Sequence, residues 1–150
     1  MEYKTISDVF AANDKIHKNF VDTVKDLSDE QAQLPSENGK WTVQMLVEHV
    51  AIVHQGITRI SAKLLSKAEA AGAGSDGSVN PSGTFLKAAA TARAQKFEAP
   101  DAIAPTGSKT IAESLASIES TFNDLNALRT KFEDVDGTGA AFPHPVFGDM

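Results

Sequence analysis

The sequence predicts an all-α protein folded as a single domain over residues 1–150. Its 150 residues are enough to bury a substantial core, and 41% hydrophobic against 23% charged residues is typical of a globular chain. Three long segments repeat apolar residues at spacings of three and four, which is the pattern of one helical face. No segment shows sustained alternation with period two, so the sequence predicts no sheet.

The first long helix is predicted over residues 5–27. Ser7 and Asp8 lie at its start, where small polar and acidic side chains are favoured. Ser28 and Gln31 follow with the spacing of a capping box, which predicts a short further turn of helix. The residues that repeat along the predicted buried face of the first helix are Ile6, Phe10, Asn13, His17, Phe20, Val24 and Leu27.

The second long helix is predicted to begin after Trp41, with Thr42 as its N-cap, and to end at about Glu69. Residues 71–83 are rich in Gly, Ser and Ala, so we expect a flexible loop there. The apolar stripe of this helix consists of Val43, Leu46, Val50, Val53, Ile57, Ile60 and Leu64.

A short, weak helix is predicted over residues 85–97, which are rich in alanine and poor in apolar bulk. After a loop over residues 100–107, the third long helix begins at a capping box formed by Thr110 and Glu113. It is predicted to end near Asp136–Gly137. Its buried face consists of Ile111, Leu115, Ile118, Phe122, Leu125 and Phe132.

Three strong apolar stripes and one weak helix indicate a helical bundle, since each stripe needs a partner to bury it. The helix that would close a four-helix bundle is expected to begin after Gly148–Asp149, because Asp is a favoured N-cap residue. That closing helix is missing from the 150 residues, so the bundle is expected to be incomplete at its C-terminal end.

Composition and charge exclude several classes of function. The net charge of −6 and pI of about 5.1 disfavour nucleic-acid partners and anionic membrane surfaces, which both require clustered basic residues. The absence of cysteine excludes disulfides, thiolate ligands and a cysteine nucleophile. The N-terminus has no apolar leader, and no segment approaches the roughly 18 apolar residues of a membrane span. The sequence therefore predicts a cytoplasmic protein.

His49 is the candidate metal ligand. It follows Leu46 by three residues and precedes Val50, so it flanks the apolar stripe of the second helix and can face the bundle interior. A neutral imidazole in that position binds Zn, Ni or Fe well. Position alone, however, favours a histidine at the edge of the core that is hydrogen-bonded to a neighbouring helix. One imidazole does not hold a metal ion by itself.

The other histidines are weaker candidates. His17 lies on the buried face of the first helix, and a core histidine with satisfied hydrogen bonds is the favoured interpretation. His54 is about 140° around the helix from His49, which is unsuitable for joint chelation and predicts an exposed or seam position. His144 lies between two prolines and is predicted to wedge a loop. No Glu-x-x-His pattern is present, so a carboxylate-bridged di-metal bundle is disfavoured.

Several segments together resemble the DinB-like family of helical bundles, also described as DinB/YfiT-like metalloenzymes. The first is Gly-Lys-Trp-Thr-Val at residues 39–43, followed by Glu-His-Val-Ala at residues 48–51. The others are Lys-Phe-Glu-Ala-Pro at residues 96–100 and Phe-Pro-His-Pro-Val-Phe-Gly at residues 142–148. They cover nearly the whole chain in the family's order, and the pairing of the 39–51 and 142–148 segments is specific for one branch of it.

The resemblance implies an up-down four-helix bundle with one divalent metal ion held by three histidines. His49 matches the ligand on the second helix. The other two ligands are expected as a His-x-x-x-His pair on the last helix and have no counterpart in the 150 residues. Related proteins are thiol-dependent transferases and isomerases, so the resemblance implies a metal-dependent transferase or hydrolase that uses a low-molecular-weight thiol. The resemblance does not imply a substrate, because proteins that share a fold can act on different substrates.

A second hypothesis is a non-catalytic bundle that acts as a binding or oligomerisation module. Three apolar stripes without a closing helix expose core surface, and such a surface favours self-association. On this hypothesis we expect a homodimer.

Overall fold

The computed structural model describes residues 3–37, 39–72, 74–92, 94–95, 97–144 and 148–149. Within those ranges the chain is helical, which confirms the all-α prediction. The helices are α1 (Ile6–Val24), α2 (Asp29–Ala32), α3 (Val43–Ala71), α4 (Gly83–Ala92), α5 (Ile111–Ala127) and α6 (Arg129–Asp134), with a 3₁₀ turn at Asp101–Ile103. None of the described helices is both long and apolar enough to cross a membrane.

The described residues also contain a short antiparallel strand pair, in addition to the predicted helices. Strand β1 (Pro143–His144) pairs with β2 (Gly148–Asp149), so that His144 lies opposite Gly148. At two residues each the strands are too short for their side chains to show any alternation, and the fold class is unchanged. The closing helix predicted after Asp149 lies outside the described residues.

Three helices differ from their predicted bounds. The weak helix predicted over residues 85–97 is α4, which begins at Gly83 and ends at Ala92. Helix α1 ends at Val24 rather than at residue 27, because Ser28 takes an extended conformation (ψ 162°) as the N-cap of α2. The last predicted helix is interrupted at Leu128, where a ψ of −4° widens the turn between α5 and α6. Leu128 keeps right-handed helical angles, so the interruption is local.

The described residues form two compact units. One unit comprises residues 11–59 and 99–127, and the other residues 1–10, 60–98 and 128–150. The first of these contains the buried cluster formed by Val24, Ala32, Val47, Ala51, Ile111 and Ile118. We call the unit of residues 11–59 and 99–127 the core unit. Its helical segments come from α1, α2, α3 and α5. Val24, Ile111 and Ile118 belong to the predicted apolar stripes, whereas Ala32, Val47 and Ala51 do not.

The second unit is stabilised by contacts around Phe10. The Phe10 and Phe132 rings lie 5.7 Å apart, and the Arg129 guanidinium lies 4.7 Å from the Phe10 ring centroid. Residues 4–6 hydrogen-bond to the 77–79 segment, with Ile6 N donating to the Gly77 carbonyl at 2.8 Å. The Gly/Ser-rich loop after α3 is therefore held against the start of α1.

Candidate functional site

A cavity of about 410 Å³ in the core unit contains three of the four histidines. Its walls come from one face of α1, one face of α3 and a residue of α5. We call it the imidazole cavity. It is lined by Asn13, Ile16, His17, Phe20, His49, Val50, Val53, His54, Ile57 and Ile118.

His49 is oriented by a hydrogen bond to the loop that precedes α5. Its Nδ1 lies 2.8 Å from the Ile103 carbonyl oxygen, and the Trp41 ring lies 4.9 Å away in a tilted contact. A carbonyl only accepts hydrogen bonds, so Nδ1 carries the proton and Nε2 keeps its lone pair. A metal-ligating histidine has this arrangement, in which the far ring nitrogen donates to a carbonyl or carboxylate. Position alone favoured a hydrogen-bonded histidine, and this bond is consistent with both interpretations.

Glu48 anchors the loop that orients His49, a role that sequence reasoning missed. Its carboxylate is 2% exposed and accepts hydrogen bonds from Thr106 N at 3.2 Å, Thr106 Oγ1 at 2.7 Å and Gly107 N at 2.7 Å. Burial raises the pKa of this carboxyl, but the three hydrogen bonds more than offset that effect and leave the pKa below its ordinary value. Gly107 has a φ of +75°, which a side chain would disfavour.

His17 has a partner on each side. Its Nε2 lies 3.0 Å from Glu119 Oε2, and its ring stacks on Phe122 at 3.7 Å. An ionised carboxylate only accepts, so Nε2 carries a proton and Nδ1 is the ring nitrogen left for other contacts. The sequence favoured a core histidine with satisfied hydrogen bonds, and the structure agrees with that interpretation.

His54 lies in the same cavity as His49, which the helical angle between them did not predict. The cavity spans a broad face of α3, so a rotation of about 140° still leaves both rings on its wall. Burial lowers the pKa of the His54 imidazole, and the nearby His17 lowers it further. His54 Nδ1 is buried and has no hydrogen-bond partner among the described residues, and the same is true of Asn13 Nδ2.

His144 lies in strand β1 of the second unit and is not among the residues that line the imidazole cavity. Its partly buried position opposite Gly148 suits the predicted structural role in the Pro-His-Pro segment.

The described residues do not by themselves form a metal site. Across the ranges that the structure describes, no three His, Asp or Glu side chains are arranged to hold an ion. His49 has the chemistry of one ligand, with a fixed tautomer and a lone pair on Nε2. The two further histidines that the resemblance implies are not supplied by His17 or His54.

Comparison with known proteins indicates the family of the chain. A family model described as the DinB superfamily matches residues 12–150. The searches of curated proteins and of solved structures gave no match.

Proposed function

The chain belongs to the DinB superfamily, whose members are generally associated with a metal ion, and we propose that it is a divalent-metal-dependent enzyme. His49 is the ligand that we assign to this chain. The hydrogen bond from His49 Nδ1 to the Ile103 carbonyl is the observation that supports this assignment, because it fixes the tautomer that leaves Nε2 free to ligate. The described residues supply no group of three His, Asp or Glu side chains that could hold the ion.

The proposed reaction is a transfer to or from a low-molecular-weight thiol, or a hydrolysis. A divalent ion held by His49 would supply the chemistry by lowering the pKa of a water or thiol bound to it. We propose that the ion is Zn, Ni or Fe.

The chain's own residues have distinct parts in this proposal. His49 binds the ion, and Glu48 holds the loop whose Ile103 carbonyl orients the imidazole. The apolar side chains of the imidazole cavity lie beside His49 and offer a surface for an apolar part of a substrate. His17, with Nε2 bonded to Glu119, offers Nδ1 as a proton acceptor at the cavity wall.

The experiment compares bound metal in the wild type and in His49→Asn. The Asn side chain keeps an N–H donor for the Ile103 carbonyl but lacks the Nε2 lone pair. We expect metal affinity, measured by calorimetric titration with Zn²⁺ and Ni²⁺, to fall at least tenfold. His144→Asn, in the other unit, is the matched control and should leave the affinity unchanged. A wild type without measurable metal binding, or equal affinities in wild type and His49→Asn, contradicts the proposal.

A second candidate function is a binding or oligomerisation module. Ile16 is 63% exposed and Ile57 46% exposed, and both line the imidazole cavity. Two large aliphatic side chains on one open surface favour a contact with another protein surface. We propose a homodimer as the form this contact takes.

A further inference from the structure

The Gly/Ser-rich loop after α3 forms one wall of a second cavity. This cavity has a volume of about 730 Å³, and all its lining residues belong to the unit of residues 1–10, 60–98 and 128–150. We call it the loop cavity. Its walls come from residues 74–81 and 135–140, from the C-terminal half of α3, and from one residue each of α1 and α6. The volume falls in the range of roughly 300–1,000 Å³ that is usual for small-molecule sites.

Main-chain hydrogen bonds hold the loop from two sides. At the start of α1, Ile6 N donates to the Gly77 carbonyl at 2.8 Å. At the end of α6, the Asp134 carbonyl accepts from Ser75 N at 2.9 Å. The wall that the loop contributes is therefore formed in the absence of a ligand, as is usual for small-molecule sites.

Two carboxylates lie on the wall of the loop cavity, Asp76 from the loop and Asp136 from the segment after α6. Asp76 Oδ1 accepts from Ser78 N and Asp136 Oδ1 accepts from Thr138 N, both at 2.9 Å. These donors are uncharged, so they leave the negative charges in place. None of the described lining residues is Lys, Arg or His. Lys67 lines a smaller neighbouring cavity with Asp136, but it forms no ion pair with that carboxylate.

Both carboxylates are ionised at neutral pH and repel one another. Hydrogen bonds from Ser78 lower the pKa of the Asp76 carboxyl, and hydrogen bonds from Thr138 lower that of Asp136. The charge of Asp76 acts on the pKa of Asp136 in the opposite direction, so the two groups are close enough to interact. A positive charge in the cavity would be attracted by both.

Much of the remaining wall is apolar, with Leu64, Leu65, Val79, Phe132 and Val135 among its residues. A bare metal ion gains nothing from such a surface, and the described residues contain no group of three acidic or imidazole side chains that could hold one. An organic cation uses both parts of the wall, because its charge is attracted by the carboxylates while its apolar part is removed from water.

We propose that the loop cavity binds an organic cation, namely an amine with a compact apolar body. Its ammonium group contacts the Asp76 and Asp136 carboxylates, and its body packs against the apolar wall that includes Leu64 and Phe132. The site uses no residue of the imidazole cavity, and it does not depend on a metal ion at His49.

The binding test uses phenethylamine, 2-phenylethanol and methylammonium as probes, with ¹⁵N-labelled protein in EDTA at low ionic strength followed by NMR. Phenethylamine should give saturable shifts at residues 74–81 and 135–140. The probe 2-phenylethanol has nearly the same shape without the charge and should bind about tenfold more weakly. Methylammonium has the charge without the apolar body and should also bind about tenfold more weakly.

The double variant Asp76→Asn, Asp136→Asn removes both charges and keeps the turns. An asparagine Oδ1 can still accept from the N–H two residues later, so the loop conformation should persist. This variant should bind phenethylamine about tenfold more weakly than the wild type and 2-phenylethanol equally well. Thermal unfolding followed by circular dichroism checks that it is folded. If it is not, the comparison of the three probes on the wild type decides the proposal.

Asp8→Asn is the matched control. Asp8 also accepts main-chain hydrogen bonds, from Lys4 N at 3.1 Å and Thr5 N at 3.0 Å, and it lies in the same unit, but it does not line the loop cavity. This variant should bind phenethylamine as tightly as the wild type does. If phenethylamine shows no saturable binding, if 2-phenylethanol binds equally well, or if Asp8→Asn weakens binding as much as the double variant does, the inference is overturned.

Discussion

Glu48 shows how one residue fixes the geometry of the candidate site. Its buried carboxylate accepts three hydrogen bonds from Thr106 and Gly107, while the neighbouring His49 donates to Ile103 in the same loop. Two adjacent residues of α3 therefore hold one loop from two sides. The orientation of the His49 ring depends on this loop, so a change at Glu48 should affect the site without touching the imidazole.

The first prediction concerns Glu48→Gln. Glutamine offers one neutral oxygen in place of an ionised acceptor, and its amide group meets the N–H donors of the loop. We expect the free energy of unfolding at pH 7 to fall by about 2 kcal/mol, since hydrogen bonds to a charged group contribute roughly 1.5–3 kcal/mol. Urea denaturation followed by circular dichroism measures the change.

The stability of Glu48→Gln should also depend on pH differently from that of the wild type. The pKa of folded Glu48 lies below its ordinary value of 4.5, so its stabilising contribution is complete above pH 4.5 and is lost as the pH falls through the folded pKa. The wild type should therefore lose more stability than Glu48→Gln in this acid range. Glu37→Gln, at an exposed carboxylate, is the control. If the stability of wild type and Glu48→Gln changed with pH in parallel, the ionised Glu48 carboxylate would not stabilise the fold.

At the scale of single residues, the sequence indicated a candidate ligand but not the hydrogen bonds that surround it. The Trp-Thr-Val and Glu-His segments made His49 the candidate ligand, which stays a prediction, and they gave no sign of the partners of Glu48, which lie 58 and 59 residues away. Such contacts depend on how a loop returns to a helix, which local periodicity does not encode. Asn13 was recognised only as part of an apolar stripe, because the lack of a partner for its Nδ2 among the described residues is a property of the folded chain.

Helix starts are the feature of the elements that the sequence predicted best. The capping boxes at Ser28 and Thr110 and the N-cap at Thr42 are all present, with Met45 N donating to Thr42 Oγ1 at 3.3 Å. Each of these signals lies within a few residues, so sequence alone contains it. The interruption at Leu128 has no such local signal, and it was missed for that reason.

The second prediction concerns the start of α5. Thr110 Oγ1 accepts from Glu113 N at 3.1 Å, and Thr110 N donates to Glu113 Oε2 at 2.8 Å. Thr110→Ala removes the hydroxyl and should lower the free energy of unfolding by about 1 kcal/mol, the usual effect of losing an N-cap. Thr110→Ser keeps the hydroxyl and should retain most of the stability. Equal losses in the two variants, measured by urea denaturation, would show that the cap does not stabilise α5.

For the whole molecule, periodicity predicted which residues share a helical face but not which faces the fold would cover. Ile57 belongs to the predicted buried stripe of α3, yet it is 46% exposed, and Ile16 is exposed further at 63%. Burial of a stripe requires a partner element, and that partner is a tertiary property. In the described part of the core unit, the imidazole cavity is lined from α1, α3 and α5 and remains accessible beside both isoleucines.

The last prediction concerns this exposed surface and the proposed homodimer. Burying four isoleucines, two from each copy, contributes favourably to association, at up to about 1.5–3 kcal/mol for each fully buried side chain. Sedimentation velocity should show a concentration-dependent dimer. Joint Ile16→Lys and Ile57→Lys substitution should weaken it at least a hundredfold, because the lysines remove apolar area and repel one another. Leu34→Lys, at a leucine that is 56% exposed in the same unit but outside the cavity, should leave the dimer intact. A wild type that is monomeric at every concentration, or a Leu34→Lys variant that dissociates equally, would contradict the use of this surface.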